Sequence, residues 1–195
     1  MEGKLWEPDE EDLRSANMAE FMDHLRNNAG IEFDSYEELW NWSVDSREEF
    51  WKKLWDYIGP IHTRDPVKIL ENGDDMLDSK WFSGAELNFA ENLLRFRDER
   101  EAIIFRSENT DLTTRRITYR ELYNEVEKVA HSLRESGVGV GDRVAGFMPN
   151  IIETVVVMLA SASLGAIWSS CSPDFGFQGV IDRFGQIEPK VLFTA

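Results

Sequence analysis

A short loop of small and hydroxyl-bearing residues is the part of the sequence best suited to holding a ligand. Residues 170–176, SCSPDFG, follow an apolar run at 166–171 and precede a pattern typical of a helix. In a parallel sheet such a loop lies at the carboxyl edge, where ligands of these folds bind. The spacing alone leaves open whether the loop binds a ligand or only connects two elements.

Three alternating glycines, Gly137, Gly139 and Gly141, are the second candidate, because glycine-rich loops hold phosphates. They follow a helical pattern and precede an apolar strand. A phosphate cradle needs the reverse order, in which a helix N-terminus points at the anion. We therefore expect an ordinary turn. The sequence contains neither a Walker phosphate loop nor a Gly-x-Ser-x-Gly nucleophile elbow.

The remaining titratable groups show no catalytic or metal-ligating spacing. The histidines are scattered along the chain, and we expect them to be solvated rather than catalytic: they are His24, His62 and His131. Cys171 has no histidine near it in sequence, so we expect a small buried residue rather than a nucleophile. The carboxylates Asp74 and Asp75 fall in a turn pattern and are expected to be solvated.

Two strands and a helix should position the candidate loop. Residues 144–148 predict a strand that ends at Pro149, which has no N–H to donate to a ladder. Asn150 with Glu153 predicts a reciprocal cap for a helix that ends at Gly165. Residues 166–171 then predict a buried strand.

The elements after the loop complete a βαβαβ unit. Asp174 is expected to cap a second helix, which Pro189 stops, and residues 191–194 predict a third strand. Helices that join parallel strands bury both sheet faces, which explains why these strands are continuously apolar. We therefore predict the α/β class, with a largely parallel sheet.

The rest of the chain suggests three parts: a helical extension at 1–60, a linker that crosses the surface at 61–101, and an α/β region at 102–195. Ser35 with Glu38, Ser46 with Glu49 and Thr118 with Glu121 predict helix caps. Residues 102–106 and 112–117 predict a hairpin. Five tryptophans lie in residues 1–60, and we expect them to dock this extension by burial rather than to form a ligand platform.

Charge restricts the partners. The net charge is −16, and residues 1–60 hold 16 acids and 6 bases, so nucleic acid and anionic membranes are disfavoured. The single cysteine and the acidic first twelve residues favour a cytoplasmic protein. Residues 154–173 are uncharged and long enough to span a bilayer, but they include five serines, so we expect no membrane span.

Several motifs resemble the acetoacetyl-CoA synthetase family of adenylate-forming enzymes. The most specific is GAIWSSCSPDFG at 165–176, followed by DRFGQIEPK at 182–190. Matching stretches elsewhere lie at 39–44, 50–55, 81–94, 117–122 and 141–144. The resemblance covers nearly the whole chain and implies the fold of a helical extension followed by the leading part of the large domain of such an enzyme.

The resemblance implies a ligase that uses ATP, CoA and magnesium to activate acetoacetate as an acyl-adenylate and transfer it to CoA. By position in related enzymes, Ser172, Pro173 and Asp174 would contact the nucleotide part of CoA. The phosphate loop and the catalytic lysine of the family have no counterpart in these residues. We therefore expect an inactive N-terminal fragment that is prone to self-association. Alternatives are a ligase for another short acid and a non-catalytic interaction module.

Overall fold

The computed structural model describes residues 5–108 and 114–195. Two compact units are present, Met1–Glu86 and Leu87–Ala195. The division falls inside the segment 61–101 that the sequence suggests as a linker. The boundaries at residues 60 and 101 remain predictions.

The first unit begins with four helices: α1 (Glu10–Ser15), α2 (Asn17–Ala29), α3 (Tyr36–Asp45) and α4 (Arg47–Ile58). Phe21, Leu25 and Leu39 form their buried core. Trp42 packs against this core, whereas the Trp40 side chain is 52% exposed. Burial thus accounts for some of the tryptophans and not for all of them.

The predicted caps of this unit are partly correct. The Ser35 hydroxyl accepts from the Glu38 amide at 3.2 Å, as expected, but the Glu38 carboxylate accepts from the Asp34 amide at 2.8 Å and so does not complete the reciprocal cap. Ser46 stands at the start of α4 but makes no side-chain cap bond, so that prediction is wrong. Its backbone already serves as the C-cap of α3, with its amide donating to the Trp42 carbonyl, which leaves it outside the extended conformation of an N-cap. Gly59 ends α4 in the left-handed region, with φ of 56°.

A hairpin that the sequence did not indicate completes the first unit. Strands β1 (Lys68–Glu71) and β2 (Lys80–Ser83) pair antiparallel. Trp81 of β2 meets Trp51 of α4, with ring centroids 5.4 Å apart. Each strand has only four residues, which is too short for an alternation of polar and apolar residues to be recognised among the surrounding turn signals.

The second unit begins with α5 (Phe89–Leu93) and a hairpin of β3 (Glu101–Phe105) and β4 (Arg115–Thr118). The predicted hairpin is confirmed where it is described, whereas Leu112 and Thr113 of the predicted second strand and Asn109–Asp111 of the turn lie outside the described residues. Helix α6 (Tyr119–Glu135) follows, and Thr118 with Glu121 forms the predicted reciprocal cap.

A three-stranded parallel sheet then forms from β5 (Arg143–Phe147), β6 (Ile167–Cys171) and β7 (Val191–Thr194), in the order β6-β5-β7. Helix α7 (Ile152–Ser163) connects β5 to β6, and α8 (Phe177–Ile187) connects β6 to β7. The predicted βαβαβ unit is confirmed.

The central strand β5 buries both of its faces. Val144 faces a core formed with α6 and α7, and the next residue, Ala145, faces Cys171 and Phe184 of α8 on the opposite side. Both Val144 and Ala145 are fully buried. Since β6 and β7 lie on opposite sides of β5, right-handed crossovers place α7 and α8 on opposite faces.

Two predicted caps in this unit are wrong. Helix α7 begins after Ile151 without a side-chain cap, and Glu153 bonds Arg115 at 2.7 Å instead of reaching back to Asn150. Helix α8 also has no side-chain cap, because it begins after Gly176, two residues beyond Asp174, whose carboxylate accepts from the Ser172 hydroxyl at 2.9 Å.

The uncharged stretch at 154–173 does not form one rod. It divides into most of α7 and all of β6. Across residues 5–108 and 114–195, no helix combines the length and the apolar character that crossing a bilayer requires.

Substitution of Gly146 tests how closely the sheet and its side chains pack. A Cβ at this position would overlap the Trp168 indole, lying 2.7 Å from Cζ2. We expect Gly146→Ala to lower the free energy of unfolding by about 1–3 kcal/mol, as overpacking does, measured by urea denaturation. Gly139→Ala is the control, since open space surrounds that position. Equal midpoints for the two variants would contradict the packing.

Candidate functional site

The candidate loop lies where the sequence predicted, between the end of β6 and the start of α8. Ser172, Pro173 and Asp174 are all exposed. The Ser172 hydroxyl bonds the Asp174 carboxylate and accepts from the Asp174 amide at 3.3 Å, and its carbonyl accepts from Phe175 at 3.1 Å. These bonds fold the loop into a tight turn and leave its outer face open to solvent.

Two helices begin at this same edge of the sheet, and neither has a side-chain cap. The first-turn amides of α7 and α8 receive no bond from a capping side chain. Uncapped helix N-termini favour groups with negative charge or many acceptors. Within α8, Arg183 places its guanidinium over the ring of Phe175 in the preceding loop, 4.3 Å from the ring centroid.

These features suit the binding of an acceptor-rich ligand on an open surface. The donors are backbone amides at the helix starts and the Arg183 guanidinium, and the Phe175 ring provides an apolar face. Asp174 opposes an anionic ligand, because its carboxylate stays in the loop instead of turning into a helix cap. The prediction that Asp174 caps α8 is therefore wrong. Its carboxylate is instead a negative charge in the loop, which repels an anionic ligand.

The strand order identifies a second part of this edge. Chain connections leave β5 toward β6 and then cross back to β7, so the order reverses beside β5. In open α/β sheets the ligand crevice lies at such a reversal, outside the carboxyl ends of the strands. Residues 148–151 follow β5 there, and Asn150 among them is exposed. Sequence reasoning missed this part, because only the strand order discloses it.

The opposite edge of the sheet is closed by hydrogen bonds. The glycine loop leads into β5, and its Gly139 amide donates to the Asp142 carboxylate at 2.8 Å. Lys190, which precedes β7, bonds the same carboxylate at 3.0 Å and also donates to the Gly137 carbonyl. Gly137 and Gly141 have φ near 80°, which glycine adopts without strain.

Arg143 adds to this closure. Its guanidinium donates to the carbonyls of Ile187 at 2.8 Å and Glu188 at 3.1 Å, at the end of α8. The glycine loop thus joins a helix to a strand and has its polar groups engaged. This agrees with the expectation of an ordinary turn rather than a phosphate cradle.

The pKa of the Asp142 carboxyl lies below its usual range. The largest cause is the bond from the Gly139 amide, and the bond from Lys190 comes second. Likewise, Arg115 lowers the pKa of Glu153, chiefly through their hydrogen bond. That pair joins the hairpin strand β4 to the first turn of α7, so it is a structural tie at the margin of the carboxyl edge.

The other titratable candidates do not assemble into a reactive site. Cys171 is buried, as expected, with its neighbours Ala145 and Phe184. His131 is exposed on α6. His24 and His62 are part-buried and contact aromatic rings, so the expectation of solvated side chains is wrong for these two. Within residues 5–108 and 114–195, no three His, Cys, Asp or Glu side chains group closely enough to hold a metal ion.

Comparison with known families agrees with this geometry. The model of the AMP-binding enzymes matches residues 89–195, which include the whole parallel sheet and both of its edges. The chain belongs to the AMP-binding enzyme family. A second family model, that of the acetyl-coenzyme A synthetase N-terminus, matches residues 36–93 of the chain.

Individual relatives extend the similarity over both units. The chain is 49% identical over 193 residues to an acetoacetyl-coenzyme A synthetase of Rhizobium meliloti (strain 1021), covering 99% of this chain and 29% of that enzyme. A malonamoyl-CoA synthetase of Penicillium aethiopicum is 38% identical over 188 residues, covering 93% and 26%.

A solved structure shows the same fold. The acetoacetyl-CoA synthetase from Streptomyces lividans aligns with a TM-score of 0.88 at 37% identity, covering 97% of this chain and 30% of that one. This AMP-binding enzyme chain therefore spans less than a third of the length of these relatives.

Replacement of Asp142 tests whether the glycine loop is structural. We expect Asp142→Asn to lower the urea midpoint at pH 7, because the charged acceptor for Gly139 and Lys190 is lost. A carboxyl with a depressed folded pKa stabilises above its unfolded pKa of about 3.9, and this stabilisation is lost as pH falls through the folded value. The difference between variant and parent should therefore shrink below about pH 4.

The matched control is Asp182→Asn on α8, whose carboxylate accepts from the Gln178 side chain of the same helix at 2.7 Å. We expect little change in its midpoint at either pH. A difference at position 142 that persists undiminished in acid would contradict the assignment of the effect to the carboxylate charge.

Proposed function

We propose that this chain is the amino-terminal portion of an ATP-dependent acid–thiol ligase that activates acetoacetate and transfers it to CoA. The observation that carries the proposal is 49% identity to an acetoacetyl-coenzyme A synthetase across 99% of the chain. The similarity includes the helical unit as well as the sheet, which a match to the widespread AMP-binding fold alone would not require.

The reaction has two balanced steps. The acetoacetate carboxylate attacks the α-phosphorus of ATP, pyrophosphate leaves, and acetoacetyl-AMP forms. The CoA thiolate then attacks the acyl carbonyl, the carbon–oxygen bond to AMP breaks, and the thioester forms. Magnesium accompanies ATP in this proposal, and we assign it none of the described residues, since they offer no ligand cluster.

We assign the CoA side of this reaction to the carboxyl edge of the sheet. Ser172, Pro173 and Asp174 are exposed there, next to the uncapped start of α8. Backbone amides and Arg183 supply donors for a nucleotide phosphate, and Phe175 supplies a ring beside them. The Asp174 carboxylate sets the position of the ligand by repelling its phosphates.

The identity of the acid is the second half of the proposal. The Penicillium aethiopicum relative, a malonamoyl-CoA synthetase, is 38% identical to this chain. A ligase for another short acid is therefore the second candidate. A panel of short acids, assayed on the full-length enzyme by acid-dependent AMP release, separates the two candidates. Acetoacetate should give the highest kcat/KM, and a higher value for malonamate or another acid would overturn this choice.

We further place the enzyme in the cytoplasm, in ketone-body and lipid metabolism, and expect the isolated 195-residue chain to self-associate. The charge and the single cysteine support the location. Large apolar side chains exposed on β6, α8 and β7 support the self-association; they are Ile167, Phe177, Ile181 and Leu192.

Pyrophosphate exchange tests whether adenylation requires the part of the enzyme beyond these 195 residues. We expect no acetoacetate-dependent exchange of labelled pyrophosphate into ATP by the isolated 195 residues, because the family's phosphate loop is not among them. The full-length enzyme should exchange readily under the same conditions. Exchange by the isolated chain would contradict the assignment, and no exchange by the full-length enzyme with any acid would favour a non-catalytic module.

Asp174→Asn in the full-length enzyme tests the CoA assignment. Removing a repulsive charge about 4 Å from a phosphate changes binding by about 1 kcal/mol in water, so KM for CoA should fall about fivefold. Acetoacetate-dependent pyrophosphate exchange, which precedes CoA binding, should not change.

The same substitution at Asp182, one turn or more along α8, provides the control and should leave both quantities unchanged. A change in pyrophosphate exchange in Asp174→Asn, or an unchanged KM for CoA, would contradict the placement of CoA against this loop.

A further inference from the structure

His62, which follows the Gly59-Pro60 end of α4, has an acceptor at each ring nitrogen. Nδ1 lies 2.7 Å from the Pro60 carbonyl oxygen, and Nε2 lies 2.9 Å from Asp65 Oδ1. A neutral imidazole carries only one N–H and can donate to only one of them. Both bonds form together only when the ring is protonated.

The ring also contacts the aromatic packing of the first unit. Its centroid lies 5.4 Å from that of Trp55 in α4, and Trp55 stacks on Phe82 of β2 at 4.6 Å, with the planes 28° apart. His62 therefore connects the last turn of α4 to the segment that follows it, and through Trp55 to the hairpin.

The residues that His62 holds are themselves paired. The Thr63 amide donates to the Glu86 carbonyl at 2.7 Å, and the Glu86 amide donates to the Arg64 carbonyl at 3.2 Å. His62 and Asp65 lie on either side of this short pairing. The hydrogen bond between the His62 and Asp65 side chains therefore encloses the two residues, Thr63 and Arg64, that pair with Glu86.

Asp65 is the charged group that faces the ring. Arg64 next to it pairs with Glu86 at 2.8 Å, while α4 presents the uncharged Trp55 to the ring. The Pro60 carbonyl is the largest cause that raises the pKa of His62, and the Asp65 hydrogen bond is the second. Desolvation, the third cause, lowers the pKa of His62, and the Asp65 charge, the fourth, raises it.

We propose that His62 is a protonation-dependent clip, which closes residues 60–65 through both ring nitrogens when its ring is charged and releases one of its two bonds when the ring is neutral. Because the folded pKa lies above the unfolded value of about 6.5, the clip contributes its full stability below that value. The contribution is lost as pH rises through the folded pKa. The clip is independent of the proposed enzymatic function.

Two measurements on the intact chain test the clip. The His62 ring resonance, assigned by its loss in His62→Gln, should titrate with a midpoint above about 6.5. Hydrogen exchange at the Thr63 amide, corrected for the intrinsic pH dependence of exchange, should accelerate at least severalfold as pH passes that midpoint.

Variants separate the clip from general pH effects. In His62→Gln the corrected exchange rate should not change across the same pH range, whereas His24→Gln, which alters another ring-contacting histidine of this unit, should keep the parent behaviour. Asp65→Asn should lower the His62 midpoint.

A His62 midpoint at or below 6.5, or Thr63 exchange that depends on pH equally in parent and His62→Gln, would overturn the proposal. If His62→Gln does not fold, the parent titration and Asp65→Asn decide the question. In that case, an unshifted midpoint in Asp65→Asn contradicts the clip.

Discussion

Strand β5 is bordered by a parallel strand on each side and covered by helices on each face, and the second unit depends on this enclosure. Val144 and Ala145 are fully buried on opposite faces. Burial of a valine side chain contributes about 1.5–3 kcal/mol, and a polar residue at either position would lose this and leave an unpaired group. The four successive uncharged residues of β5, Val144 to Phe147, are therefore typical of a strand that is covered on both sides.

This enclosure makes the two edges of the sheet different. With all strands parallel, every connecting helix starts at the carboxyl edge and ends at the amino edge. At the amino edge, Asp142, Lys190 and Arg143 use their polar groups to fasten loops to one another. At the carboxyl edge, α7 and α8 start without side-chain caps. The free hydrogen-bonding capacity is thus concentrated where the family resemblance places CoA.

Local sequence signals predicted most of the sheet and fewer of the helix starts. Strand β7 matches its predicted bounds, and the cap of α6 by Thr118 and Glu121 formed as expected, because both depend on neighbours in sequence. The reciprocal cap of Asn150 and Glu153 did not form: α7 begins after Ile151, and Glu153 instead accepts from Arg115, which is 38 residues away in sequence. Distant competition of this kind has no local signature.

The candidate site was predictable in part for the same reason. A strand followed by small residues and a helix located the loop at Ser172, whereas residues 148–151 required the strand order. The hydrogen bond from Ser172 that holds Asp174 in the loop was also missed, since capping and loop bonds use the same carboxylate. The acid specificity follows from none of these residues, so it depends on the comparison with relatives.

A crystal structure of the full-length enzyme with CoA bound tests the central claim most directly, because it locates the ligand relative to the two edges of the sheet. The account predicts that the nucleotide part of CoA contacts the loop at Ser172–Asp174, beyond the carboxyl end of β6. CoA bound against the glycine loop at the amino edge, or away from this sheet altogether, would contradict it.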